Sequence, residues 1–236
     1  AFWTDLMKLT QLTSLDMPYL PIPEFFVRWM KDSQLVEFPA ILHTQPDMAP
    51  VFAEVLPSMK HLRSLQLDWC YEMSVDEPSS VSWMIPILQE CTQLTQLQLA
   101  MPQDEAISFI SVLSNLQDLV DLSLYHPDTG IDFPRELYAL HLPHLKYFNT
   151  NLPILESHLV AFREWLGNHP RLTQLKLTFQ NQASFEQSCP ILFQCPALTE
   201  LRIYFREIYP NVSLNLPAMP PTLRKLTADH DHISLP

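Results

Sequence analysis

The chain has 236 residues, of which 47% are apolar and 17% charged, with 26 acidic against 14 basic residues and a net charge of −12. That apolar share is too high for a disordered chain, and the acidic balance disfavours a nucleic-acid partner, which calls for a basic patch. With only 2 Gly, far apart at Gly130 and Gly167, against 22 Pro, a glycine-rich phosphate loop is excluded and turns must fall to Pro, Asn and Asp.

Read in chain order, one pattern recurs: L-x-x-L-x-L. It begins weakly at Leu12-Leu15-Met17 and in degenerate form at Leu35-Phe38-Ala40. A helical pattern over 50–59 follows, then a clear copy at Leu62-Leu65-Leu67. After the acidic insertion Asp76-Glu77-Pro78-Ser79-Ser80 and a short helix over 82–89 comes Leu94-Leu97-Leu99. Ala106, Phe109, Ile110 and Leu113 recur at helical spacing before Leu119-Leu122-Leu124. Leu145-Phe148-Thr150 is a weaker copy, followed by a helix over 155–166 and by Leu172-Leu175-Leu177. A helix over 184–193 is expected to be short or broken by Pro190, ahead of Leu198-Leu201-Ile203 and a weak last copy at Leu223-Leu226-Ala228.

First positions fall at 12, 35, 62, 94, 119, 145, 172, 198 and 223. All intervals but the one carrying the acidic insertion lie in the ~20–29-residue range of leucine-rich repeats. In a strand, side chains alternate, so the fourth and sixth motif positions share the core face. No repeat buries that leucine row alone, so neighbours must stack. The expectation is one α/β leucine-rich-repeat solenoid over 1–236, of about nine repeats. Its parallel sheet would lie on the concave side of a horseshoe, with short helices and irregular segments on the convex side. The chain opens at Ala1 without a methionine, and we expect it to be part of a longer chain.

The lead-ins Cys91-Thr92-Gln93-Leu94, His169-Pro170-Arg171-Leu172 and Cys195-Pro196-Ala197-Leu198 resemble the C-P-x-L lead-in of cysteine-containing leucine-rich repeats, as in F-box proteins. The run from Leu216-Pro217 to Leu223-Arg224-Lys225-Leu226 resembles repeats of fungal F-box-like proteins. The resemblance implies substrate recognition in an F-box-type ubiquitin ligase, with ligase subunits bound through an F-box. No segment here resembles the F-box itself, so that part would precede Ala1. The ninth motif position carries Cys70, Pro102, Pro127, Pro153, Gln180 and Arg206 rather than an asparagine ladder, unlike receptor ectodomains. The alternative is a binding protein of ribonuclease-inhibitor or immune-sensor type with no ligase link.

The variable strand positions would face a protein partner on the concave side. They run from neutral or acidic (Ser14, Glu37, Ser64, Gln96, Asp121) to basic (Lys176, Arg202, Lys225), a gradient that would steer a partner of opposite polarity. Aromatics expected just past the strands, Tyr19, Trp69, Tyr125, Phe179, Tyr204 and Phe205, would line one rim, the two Phe half-buried; the competing reading is a core cap. The partner-binding set is Trp69, Tyr125, Tyr147, Lys176, Arg202 and Tyr204, since Trp, Tyr and Arg anchor interfaces.

Nothing in the pattern points to chemistry. Two isolated glycines build no nucleophile elbow, and Cys70, Cys91 and Cys195 read as buried small hydrophobes at repeat positions. Asp229-His230-Asp231-His232 reads as a solvated end rather than a metal site, and Pro143 between His141 and His144 breaks helical ligand spacing. The expectation is a protein without catalytic, metal or cofactor site. Four cysteines with no CxxC pair fit a reducing compartment, cytoplasm or nucleus, and the sequon at Asn211-Val212-Ser213 is a weak match. No run approaches the ~18 apolar residues of a membrane span.

Overall fold

The computed structural model describes residues 2–15, 22–41, 48–68, 84–100, 106–125, 135–206 and 220–229. The chain divides into two compact units, Ala1–Leu119 and Val120–Pro236. Both are α/β, built on parallel strands that alternate with short helices or turns.

In the first unit, helices α1 (Phe2–Leu6) and α2 (Glu24–Met30) precede strand β1 (Glu37–Ile41). Helix α3 (Ala49–Val55), extended by a 3-10 turn at Leu56–Ser58, leads to β2 (Ser64–Asp68); α4 (Met84–Glu90) leads to β3 (Gln96–Ala100). Helix α5 (Ala106–Leu113) closes the unit. The strands pair in parallel with Glu37, Ser64 and Gln96 in one row and Phe38, Leu65 and Leu97 in the next.

In the second unit, β4 (Asp121–Tyr125), β5 (Tyr147–Ile154), β6 (Gln174–Phe179), β7 (Glu200–Phe205) and β8 (Lys225–Asp229) form the sheet. The connections carry a 3-10 turn at Arg135–Ala139, then α6 (Leu159–Gly167) and α7 (Gln182–Leu192). One row of the ladder reads Asp121, Tyr147, Gln174, Glu200, Lys225, and the next Leu122, Phe148, Leu175, Leu201, Leu226.

The motif therefore maps onto the register position for position. Leu62, Leu94, Leu119, Leu145, Leu172 and Leu198, each opening a copy, are fully buried. So, to within a few per cent of exposure, are Leu65, Leu67, Leu97, Leu99, Leu122, Leu124, Leu175, Leu177, Leu201 and Ile203 at the fourth and sixth positions. The terminal copies are looser: Leu12, Leu223 and Leu226 are only half-buried.

A clamp recurs at the strand starts. The carbonyl of the residue before a strand accepts two consecutive N–H groups from the following repeat. Arg63 O takes them from Thr95 and Gln96, Lys146 O from Thr173 and Gln174, and Thr173 O from Thr199 and Glu200, at 2.8–3.1 Å. The threonines add their hydroxyls: Thr95 Oγ1 donates to Arg63 O, Thr173 Oγ1 to Lys146 O and Thr199 Oγ1 to Thr173 O. Backbone groups at the strand starts are thus satisfied between neighbours, which is what stacking of incomplete units demands.

Two expectations need correction. Helix α7 is not broken at Pro190: it runs unbroken over eleven residues. Pro190 sits in its last turn, where one missing N–H is lost near an end that frays anyway, and Phe193 N–H still reaches Cys189 O at 2.9 Å. The start is held by Asn181, whose Oδ1 accepts both the N–H and the hydroxyl of Ser184 at 2.9 Å. The helix expected over 155–166 opens instead as a 3-10 turn at Glu156–His158, and α6 proper begins at Leu159.

Strand β5 departs from its neighbours. Asn149 faces Lys176 but Pro153 faces Thr178, so β5 advances four residues while β6 advances two. Thr150 stands at a core position, 1% exposed, and its hydroxyl accepts the Leu152 N–H at 3.1 Å. A polar group is tolerated in the core there because the bulge frees an amide for it to bond.

Candidate protein-binding surface

The side chains between the leucines form the other face of the strands. In the second unit this face has two in-register polar rows. The first is Asp121, Tyr147, Gln174, Glu200 and Lys225; the second is Ser123, Asn149, Lys176, Arg202 and Thr227. Each alternates along its strand with a buried residue, so these side chains point away from the core.

A shallow open depression of about 240 Å³ lies over the middle of this face. Tyr147, Lys176 and Arg202 line it, together with Asp121, Asn149 and Glu200. Tyr147 is 37% exposed. Arg202 Nε and Lys225 Nζ both donate to Glu200 Oε1 at 2.9 Å, and the two cations hold the Glu200 carboxyl below its ordinary range, the Lys225 bond being the larger cause. Lys176 Nζ stands 5.2 Å from the centroid of the Tyr204 ring, within cation–π reach. Asn149 Nδ2 donates to Ser123 Oγ at 3.4 Å. At the opposite edge, burial pushes the Asp121 carboxyl up.

Five of the six residues of the expected partner-binding set are described. Tyr147, Lys176 and Arg202 meet in the depression. Tyr204 lies within β7 rather than past it, beside Lys176. Tyr125 is the last residue of β4, half-buried, and its hydroxyl is buried with no hydrogen-bond partner among the described residues. Trp69 and Tyr19 lie outside the described residues. The strands run further than expected, taking in Phe179 and Phe205. Phe179 is fully buried rather than half-buried, packing edge-on to Phe185, which in turn meets Phe205. In the first unit the same face carries Ser14, Glu37, Ser64 and Gln96, with the Ser14 hydroxyl donating to Glu37 Oε2 at 2.8 Å.

Sequence reasoning read His169 only as part of a lead-in and missed its role. It takes the place that Cys91 and Cys195 hold in their repeats, just past a helix end. Its ring is buried, 2% exposed. Nδ1 lies 2.7 Å from Trp165 O and Nε2 lies 3.0 Å from Leu142 N. A carbonyl only accepts and an amide N–H only donates, so the ring is neutral with its proton on Nδ1. The signal was its alignment with the cysteines, since Cys195 Sγ likewise reaches the carbonyl four residues back, Ile191 O, at 4.0 Å. His144, in the turn before β5, accepts from Arg171 NH1 at 3.0 Å.

Cys91, Cys189 and Cys195 are free thiols and buried; burial pushes them up to about 12, 12 and 11. Among the described residues no group of three His, Cys, Asp or Glu could hold a metal ion, and no helix is long and apolar enough to cross a membrane. Cys70, the insertion at 76–80, the sequon at 211–213 and His230 to His232 lie outside the described residues.

No family model matches the chain, and no curated protein matches it. Among solved structures, a protein from Bacteroides fragilis is similar over 72% of this chain at 15% sequence identity, with a TM-score of 0.45. The chain spans 60% of that protein's length.

Proposed function

We propose that this chain is a leucine-rich-repeat solenoid, without chemistry of its own, whose open sheet face binds a protein partner. One observation carries the reading. All-parallel sheets are as a rule covered on both faces, yet here one face is a packed leucine array and the other a half-exposed, in-register display of Tyr147, Asn149, Lys176, Glu200 and Arg202 around a depression. Such a face is built to be covered from outside. Polar, varied side chains on a rigid ladder suit recognition, because the backbone spacing holds them at fixed intervals while each repeat varies its own residues.

Within that reading we place the chain among substrate-recognition repeats of F-box-type ubiquitin ligases, in the cytoplasm or nucleus. The support is the lead-in position held by Cys91, His169 and Cys195, all buried, and three free thiols. This placement requires an F-box upstream of Ala1. Affinity purification of the complete native protein, with mass spectrometry of what accompanies it, tests both levels. Cullin-ligase subunits in the eluate support the ligase placement. One stoichiometric partner without them favours an inhibitor or sensor, and no protein partner at all overturns the binding reading.

A further inference from the structure

Asp121 and Lys176 line the same depression from β4 and β6, with β5 between them. They carry opposite charge, yet neither finds an ionic partner among the described residues. Strands lie ~4.8 Å apart and Lys176 stands two residues further along its strand than the Asp121 row, so these two groups stand about 12 Å apart on the diagonal, too far to neutralise one another. Asp121 is half-buried and its carboxyl is pushed up by burial with no compensating donor. Lys176 has only the face of Tyr204. Arg202, by contrast, is already matched to Glu200 on its own strand. Among the described residues, Asp121 and Lys176 are therefore an unmet negative and an unmet positive group at a fixed separation, with exposed Tyr147 on the strand between them.

We propose that this depression takes an extended segment of a partner protein that crosses the strands, with a Lys or Arg seated at Asp121 and an Asp or Glu seated at Lys176. An extended chain advances ~3.3 Å per residue and alternates its side chains, so the two charged residues are four positions apart on one face. The middle one of the three residues between them faces the same way and lies on Tyr147. A single-charge ligand would satisfy one group and leave the other desolvated; a segment with both satisfies both. This rests on the protein-binding reading and gives it a polarity and a motif.

The test uses the full chain immobilised and a displayed library of short random peptides as the probe. Wild type is expected to enrich peptides with a basic and an acidic residue four apart, bound at least about tenfold more tightly than the same peptides with either charge neutralised. Asp121→Asn is expected to erase the preference for the basic position alone, and Lys176→Met that for the acidic position alone, with unchanged circular dichroism in both. Binding should weaken as salt is raised, since the groups are partly exposed. Enriched peptides without the charge pair, enrichment indifferent to both substitutions, or no enrichment overturn the inference. The broader protein-binding reading is judged separately by co-purification of intact partners, which does not depend on a short peptide.

Discussion

The backbone N–H of Leu142 donates to Nε2 of His169, 27 positions further along the chain, at 3.0 Å. That bond joins the turn before β5 to the turn before β6. The same ring donates through Nδ1 to Trp165 O at the end of α6 and lies 4.5 Å from the Trp165 ring. One imidazole thus ties a helix end to a neighbouring repeat, and it does so only while neutral.

Replacing His169 with Ala should leave the buried Leu142 N–H without an acceptor. Such a group costs about 1–3 kcal/mol, and chemical denaturation should read a loss of that size or more.

Acid should act through the same residue. Burial, the largest cause, holds the His169 pKa below its ordinary 6.5. Below pH 6.5 the unfolded chain takes up a proton that the folded ring refuses, so the unfolded state binds more protons and stability falls as pH falls. Above pH 6.5 both states are neutral and the residue contributes no slope. Denaturation midpoints measured downward from pH 7 should decline from about 6.5, and the decline should be shallower in His169→Gln.

Neighbouring residues on β4 should respond unequally. Leu122 is fully buried and Ser123 half-buried on the other face. Leu122→Ala should cost about 2–5 kcal/mol through lost burial and a cavity, while Ser123→Ala should stay within about 0.5 kcal/mol. Equal effects would mean that the face assignment is wrong.

Tyr147→Ala, Lys176→Ala and Arg202→Ala should each weaken partner binding with little change in thermal midpoint, because all three line the depression and none is in the core. An aromatic or arginine anchor at an interface centre is worth about 2 kcal/mol or more. Titration calorimetry against the recovered partner, beside a melting curve for each variant, measures both quantities.

The thiols of Cys91, Cys189 and Cys195, pushed up to about 12, 12 and 11 by burial, should resist alkylation at neutral pH in the native protein and react fully once it is unfolded. Mass spectrometry after a short iodoacetamide pulse distinguishes the two states.

The leucine spacing was enough to place every described strand of the repeat and to say which side chains point inward. Period-two alternation and a fixed repeat length leave a parallel ladder one register, and Glu37–Ser64–Gln96 and Asp121–Tyr147–Gln174–Glu200–Lys225 follow it. Local rules also foresaw buried cysteines at Cys91 and Cys195. Only the tertiary structure decided what those side chains meet. The bulge in β5 depends on Thr150 finding the Leu152 amide, and the continuity of α7 on where Pro190 falls relative to a helix end. The conversion of His169 into a neutral bridge needs Leu142, a residue from another repeat. Charge identity is written in the sequence, but pairing is not. Glu200 engages Arg202 and Lys225 while Asp121 and Lys176 are left facing one depression, because contact across strands is set by register and side-chain reach, which no single repeat contains.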